Sequence, residues 1–162
     1  MARDPIELAR ENWRGRGWDD AESGMAVVTS IMRVHQLLLG EVERALRPFD
    51  LTFARYEVLM LLFFSRHGEL PVGRIGERLQ VHPASVTNAV DRLEVDGLVE
   101  RRRNPRDGRS VLAAIRPEGE RVARRASAVL NAEVFVAEAL ADPGGDLYAA
   151  LKRLRRDLGD DV

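Results

Sequence analysis

Three residues, Gln80-Val81-His82, separate two helical stretches that are each too short to bury a core alone. Upstream, Ile75 and Leu79 stand one turn apart within 73–80. Downstream, Pro83 suits a first helical position, and Val86, Val90 and Leu93 recur at helical spacing to about Asp96. Gly97 then supplies a left-handed residue past the helix end. Two apolar runs, Leu98 onward and Val111–Ile115, flank the turn-forming residues Asn104-Pro105-Arg106-Asp107-Gly108, which predicts a β-hairpin. Two short helices around a three-residue turn, followed by a hairpin with a basic tip, make a winged helix-turn-helix.

The flanks predict a mainly α chain in which that hairpin wing is the small β part. Residues 5–18 read as a short helix with Asp4 as its cap and Pro5 in its first turn. Residues 25–47 read as a long helix that is apolar around more than one stripe, from Met25 to Leu46, and so needs cover on several sides. Thr52 caps a helix over 53–66 whose centre, Val58–Phe64, is apolar all round and belongs to the core. Helices over 117–140 and 146–158 close the chain, broken by Asp142-Pro143-Gly144-Gly145. This gives an N-terminal extension (1–24), a helical lobe (25–52 and 117–162) and a winged helix-turn-helix (53–116). The longest unbroken apolar run, Val58–Phe64, is far shorter than the roughly 18 residues that span a bilayer. The acidic, h-region-free start does not read as a signal peptide. The expectation is no membrane and a cytoplasmic location.

A net charge of −1 argues against a nucleic-acid binder, but its distribution reverses that. Residues 71–125 hold twelve Arg against eight acids, and the peak is Arg101, Arg102, Arg103, Arg106 and Arg109. The prevalence of Arg over Lys accounts for the residue type but not for the clustering. A basic block on a near-neutral chain is an electrostatic footprint. On the helix 83–96 the face opposite Val86, Val90 and Leu93 presents Ala84, Ser85, Thr87, Asn88, Asp91 and Arg92. Short residues suit the floor of a major groove, Ser and Thr bond several base edges, and Asn can bond adenine bidentately. Pro83 fixes the entry of this helix and His82 caps it. At the wing tip, Asp107 beside Arg109 predicts a wing held by its own salt bridge, with Arg109 free to reach a minor groove. Arg101–Arg103 alternate faces, so only some reach phosphates, and Arg103 and Arg106 join the candidate DNA contacts.

The chain resembles the MarR family of bacterial transcription regulators. The matching runs are L-R-P-F-D-L-T (46–52), Y-E-V-L (56–59), I-G-E-R-L (75–79), S-V-T-N-A-V-D-R-L-E-x-D-G-L-V (85–99) and D-G-R (107–109). The resemblance implies a homodimer on a palindromic double-stranded operator, with 25–52 and 117–162 as the dimerisation lobe, 53–116 as the DNA-binding lobe, Ser85, Thr87 and Asn88 as base readers and Arg109 in the minor groove. It implies a repressor released by a small molecule. One departure is Ile115-Arg116-Pro117, where the family has Leu-Thr with Thr capping the next helix. Residues 4–18 look like the extra first helix of the family's urate-responsive branch, which carries a ligand-contacting Trp. Trp13 or Trp18 stands for it, or both cover the dimer lobe. The effector is expected in a cleft between the lobes along helices 25–47, 53–66 and 117–140, with His35, Arg55 and Glu57 as polar contributors. An Arg there favours an organic acid or urate-like anion.

Enzyme chemistry is not expected. Cys is absent, and His35, His67 and His82 are isolated without metal-ligand spacing. No nucleophile elbow or phosphate-binding Gly loop occurs, and no cofactor is expected. The alternative is a winged-helix protein-interaction module without DNA contact.

Overall fold

The computed structural model describes residues 3–161. Seven helices and a small sheet follow in the order α1 (Pro5–Gly15), α2 (Asp19–Leu46), α3 (Phe53–Phe64), β1 (Glu69–Pro71), α4 (Val72–Leu79), α5 (Pro83–Val95), β2 (Val99–Arg103), β3 (Val111–Ile115), α6 (Pro117–Leu130) and α7 (Asp146–Asp157). The expected winged helix-turn-helix is present. Its turn is Gln80–His82, with Gln80 left-handed at φ 53°. Gly97 ends α5's extension at φ 71°, where any side chain would be strained.

The caps read from sequence form. The Asp4 carboxylate accepts the Ile6 N–H at 2.9 Å, Thr52 Oγ1 accepts the Arg55 N–H at 3.3 Å, and His82 Nδ1 accepts the Ala84 N–H at 3.2 Å. Arg116, preceding α6, makes no side-chain cap, in keeping with the missing Thr.

Four elements differ from expectation. The long helix begins at Asp19, not 25, and runs straight through Gly24. Its first turn carries Asp19, Asp20 and Glu22, which favour the positive end of a helix dipole. Glu22 is buried between Arg10 and Arg14 of α1, the latter at 2.9 Å. That bridge folds α1 back on α2 across Gly17 (φ 74°).

Second, α3 is not core all round. Val58, Leu59 and Leu62 are buried, but Phe64 is 75% exposed, because only one side of the helix meets α5, α6 and β3. Third, the helix expected over 117–140 is regular only to Leu130. Asn131–Phe135 widens into a π turn that buries Val134 and leaves Phe135 and Val136 outside. Two β-branched residues and a Phe in sequence favour the helix poorly.

Fourth, the wing hairpin gains a third strand. The antiparallel order is β1-β3-β2, with Leu70 opposite Ala113 and Arg101 opposite Ala113 on the other side. Pro71 is tolerated because β1 is an edge strand.

One core joins these parts. Leu46, Leu59, Leu62, Ile75, Leu93 and Leu130, from α2, α3, α4, α5 and α6, are all completely buried. At its edge the start of α6 abuts the start of β2. The Arg116 N–H donates to the Leu98 carbonyl at 2.9 Å, and a Cβ on Gly119 would lie 2.2 Å from that same oxygen. Gly119→Ala gains up to about 1 kcal/mol of helix propensity. Overpacking against backbone outweighs it, so a net loss of about 1–3 kcal/mol is expected in chemical denaturation. A neutral or stabilised variant would show that α6 shifts freely here.

Candidate nucleic-acid interface

Helix α5 presents the two faces predicted. Val86, Ala89, Val90 and Leu93 are buried. Pro83, Ala84, Ser85, Thr87, Asn88 and Arg92 are all exposed. Thr87 Oγ1 donates to the Pro83 carbonyl at 3.1 Å, so its hydroxyl proton is used within the helix and its lone pairs face outward. Ser85, Asn88 and Arg92 line one side of a cleft of about 640 Å³, whose other side is Thr52 and Arg55 at the start of α3.

The wing tip is ordered by backbone-directed bonds. The Asn104 carboxamide accepts the Arg106 N–H at 3.0 Å and donates to Ser110 Oγ at 2.7 Å. The Asp107 carboxylate accepts the Arg109 N–H at 3.0 Å. This corrects the expected Asp107–Arg109 salt bridge: a residue two positions on offers its N–H to an Asp as an Asx turn, and that bond leaves the guanidinium unused. Among the described residues Arg103, Arg106 and Arg109 have no ion pair and are exposed.

The rest of the Arg block is spent inside the protein. Arg101, with its side chain 26% exposed, places one nitrogen 2.6 Å from Asp91 and another 2.7 Å from Glu94. Its own N–H donates to Glu94 at 2.9 Å. Arg102 pairs with Glu100 and lies 3.8 Å from Glu69. Arg101 therefore bolts β2 of the wing to α5. The signal available in sequence was Glu94 and Arg101 seven residues apart across Gly97. A second bridge, Arg55 to Asp96 at 3.3 Å, ties α3 to the far end of α5.

The five effector candidates do not come together in one chain. Trp13 and Trp18 pack edge to face with ring centroids 5.5 Å apart, at the α1–α2 corner. His35 is exposed on α2. Arg55 faces α5, and its guanidinium is shared with Asp96. Glu57 is half-buried on α3, and burial pushes its carboxyl above the usual range.

With this geometry in place, known proteins are informative. The sequence pattern of the MarR family matches residues 49–110. The transcriptional repressor Rv2887 of Mycobacterium tuberculosis is 31% identical over 143 residues, covering 88% of this chain and 97% of the relative. The chain belongs to the MarR family of transcriptional regulators. The match to the repressor MdtR of Bacillus subtilis is 33% over 91 residues and spans 56% of this chain but only 57% of that relative. Among solved structures, Sco5413, a MarR family transcriptional regulator from Streptomyces coelicolor, is 50% identical (TM-score 0.76, 86% of this chain and 97% of that one). Sco3205 from the same organism, in complex with DNA, is 25% identical (TM-score 0.73, 82% and 83%). CouR from Rhodococcus jostii RHA1, bound to p-coumaroyl-CoA, is 26% identical (TM-score 0.71, 84% and 94%). The family is one of regulators, not enzymes.

The Arg101 bridge carries a pH signature. The Arg101 backbone N–H, then its guanidinium, hold the Glu94 carboxyl below its ordinary range. A depressed carboxylate stabilises the fold above that range, and the contribution disappears as pH falls through the folded value. Glu94→Gln is therefore expected to melt lower at about pH 7 and to lose less on acidification to about pH 3. Parallel Tm–pH curves for the two proteins would refute the bridge.

Proposed function

We propose that this chain acts as a homodimer in the cytoplasm, repressing transcription from a palindromic double-stranded operator until a small molecule releases it. The observation that carries the DNA contact is the pairing, on one rigid frame, of the exposed face of α5 with unpaired arginines on the wing. Ser85, Thr87 and Asn88 read base edges. Pro83 and Ala84 let the helix end approach the groove floor. Arg92, Arg103 and Arg106 meet phosphates, and Arg109 enters the minor groove. The DNA complex of Sco3205 supports this reading.

Dimerisation is supported by α2, where Val28, Met32, Val34 and Leu37 are each more than half exposed. The stretch Asp19–Phe49 is long and apolar enough to cross a bilayer by length and composition. Arg33, His35 and Gln36 at mid-helix, all exposed, favour a second copy of the chain over lipid as its cover. An obligate interface of about 2,000 Å² or more is expected. The lobes proposed are helices α2, α6 and α7 for dimerisation and α3 to β3 for DNA. The effector reading is supported by CouR, whose structure holds p-coumaroyl-CoA, and by Glu57, which has no partner among the described residues.

Sedimentation equilibrium is expected to return twice 18.2 kDa at micromolar protein. A monomer would remove the dimer. Half-sites are expected about 10 bp apart on one duplex face. Asn88→Ala should cost about 1–3 kcal/mol on the operator and relax a single base position. Equal loss on random duplex would show that Asn88 reads no sequence. Absence of any DNA binding at low salt would favour the interaction-module reading instead.

A further inference from the structure

The two ends of α5 are anchored differently. At the carboxyl end Arg101 reaches Asp91 and Glu94, and Arg55 reaches Asp96. At the amino end the turn Gln80–His82 is closed by its own helices. The Val81 N–H donates to the Gly76 carbonyl at 3.3 Å, and the His82 carbonyl accepts the Ser85 N–H at 2.9 Å. Among the described residues, one hydrogen bond joins residues 80–82 to anything beyond α4 and α5. The Gln80 Nε2–H donates to Asp160 Oδ1 at 2.7 Å, from a residue eighty positions away, just past the end of α7.

Asp160 is itself fixed. Its Oδ2 accepts the Arg155 Nε–H at 2.5 Å, and its own N–H donates to the Arg155 carbonyl at 3.0 Å. The bond from Arg155 holds the carboxyl below its ordinary range, so it stays charged at neutral pH. The carboxylate is thus carried by the end of α7. Gln80, for its part, is an uncommon residue for its place. Its φ is 53°, a left-handed conformation in which Gly or Asn is usual at a helix end. A Gly would suit the backbone better but has no carboxamide to offer Asp160.

We infer that Gln80 and Asp160 are positioning residues for DNA reading: through them the end of α7 fixes the amino end of α5, and so the tilt at which Ser85, Thr87 and Asn88 meet the bases. The inference rests on the DNA-binding reading above. Neither residue has to touch the duplex. Binding constellations need their geometry held to within about 0.5 Å, so one bond at an otherwise locally closed turn affects recognition more than stability. Because α7 belongs to the lobe proposed for dimerisation, the same bond gives that lobe a direct hold on the reading helix.

The test uses the full chain, an operator selected by the native protein from a random duplex library, and a random duplex as reference, read by fluorescence anisotropy at fixed salt. Asp160→Ala removes the acceptor. Gln80→Asn keeps a carboxamide and suits the left-handed backbone, but is one methylene shorter. Each variant is expected to lower the operator-to-random affinity ratio about two- to tenfold. The double variant should lose no more than either alone, since both break one bond. Sedimenting mass and Tm are followed in parallel. A lowered Tm with a native affinity ratio would overturn the inference, leaving the bond a stabilising role only. Additive losses in the double variant would also overturn it, because the two residues would then act separately. A native protein that selects no sequence refutes the DNA reading itself.

Discussion

The dry contact of Leu46 and Leu130 with Leu59, Ile75 and Leu93 governs the rest of the molecule. Leu46 ends the long helix, Leu130 ends the regular part of α6, and Leu93 is the buried edge of α5. These fully buried side chains come from α2, α3, α4, α5 and α6 and form one core, so none of these helices can turn alone without opening a cavity. Movements that turn α5 relative to α2 must therefore pass through this core or bend the elements that leave it. The Tyr56 hydroxyl, 2.9 Å from Ser127 Oγ, adds a polar link between α3 and α6 within the same packing.

On that frame the arginines divide by what they face. Arg101 is held by two carboxylates and sets the angle between wing and helix. Arg55 does the same between α3 and α5. Arg103, Arg106 and Arg109 are left with their charge unspent, on a tip stiffened by Asx and Ser bonds. A charge committed to a neighbouring carboxylate contributes rigidity. One left free contributes attraction for phosphate. Here the two kinds lie within eight residues of each other. Removing Arg101 would leave Asp91 and Glu94 of α5 without their cation, so it would cost the anchoring of β2 to α5.

Several apolar side chains have no partner: Val28, Met32 and Val34 of α2, the outward Phe135 and Val136, and Leu147, Leu151 and Leu158 are exposed in a single chain. The Glu22 bridge from α1 keeps the amino end of α2 in place while leaving this apolar stripe open. Glu57 on α3 is a half-buried carboxyl without a cation among the described residues.

The helix-turn-helix, its caps, the glycine past α5 and the hairpin were legible from spacing alone, because they depend on local backbone chemistry. Pro83, Gly97 and the turn at Asn104–Gly108 permit few other conformations. The family resemblance was legible for the same reason, in the run from Ser85 to Arg109. Tertiary structure decided what local rules do not reach. Strand β1 exists only because β3 offers it an edge. The extension of α2 to Asp19 follows from a bridge to α1, and the π turn at Asn131 follows from burying Val134. Which arginines stay free also depended on carboxylates brought near by folding. Periodicity identifies which side of an element is apolar, but whether a charge is paired is settled by distances across elements, which no single segment contains.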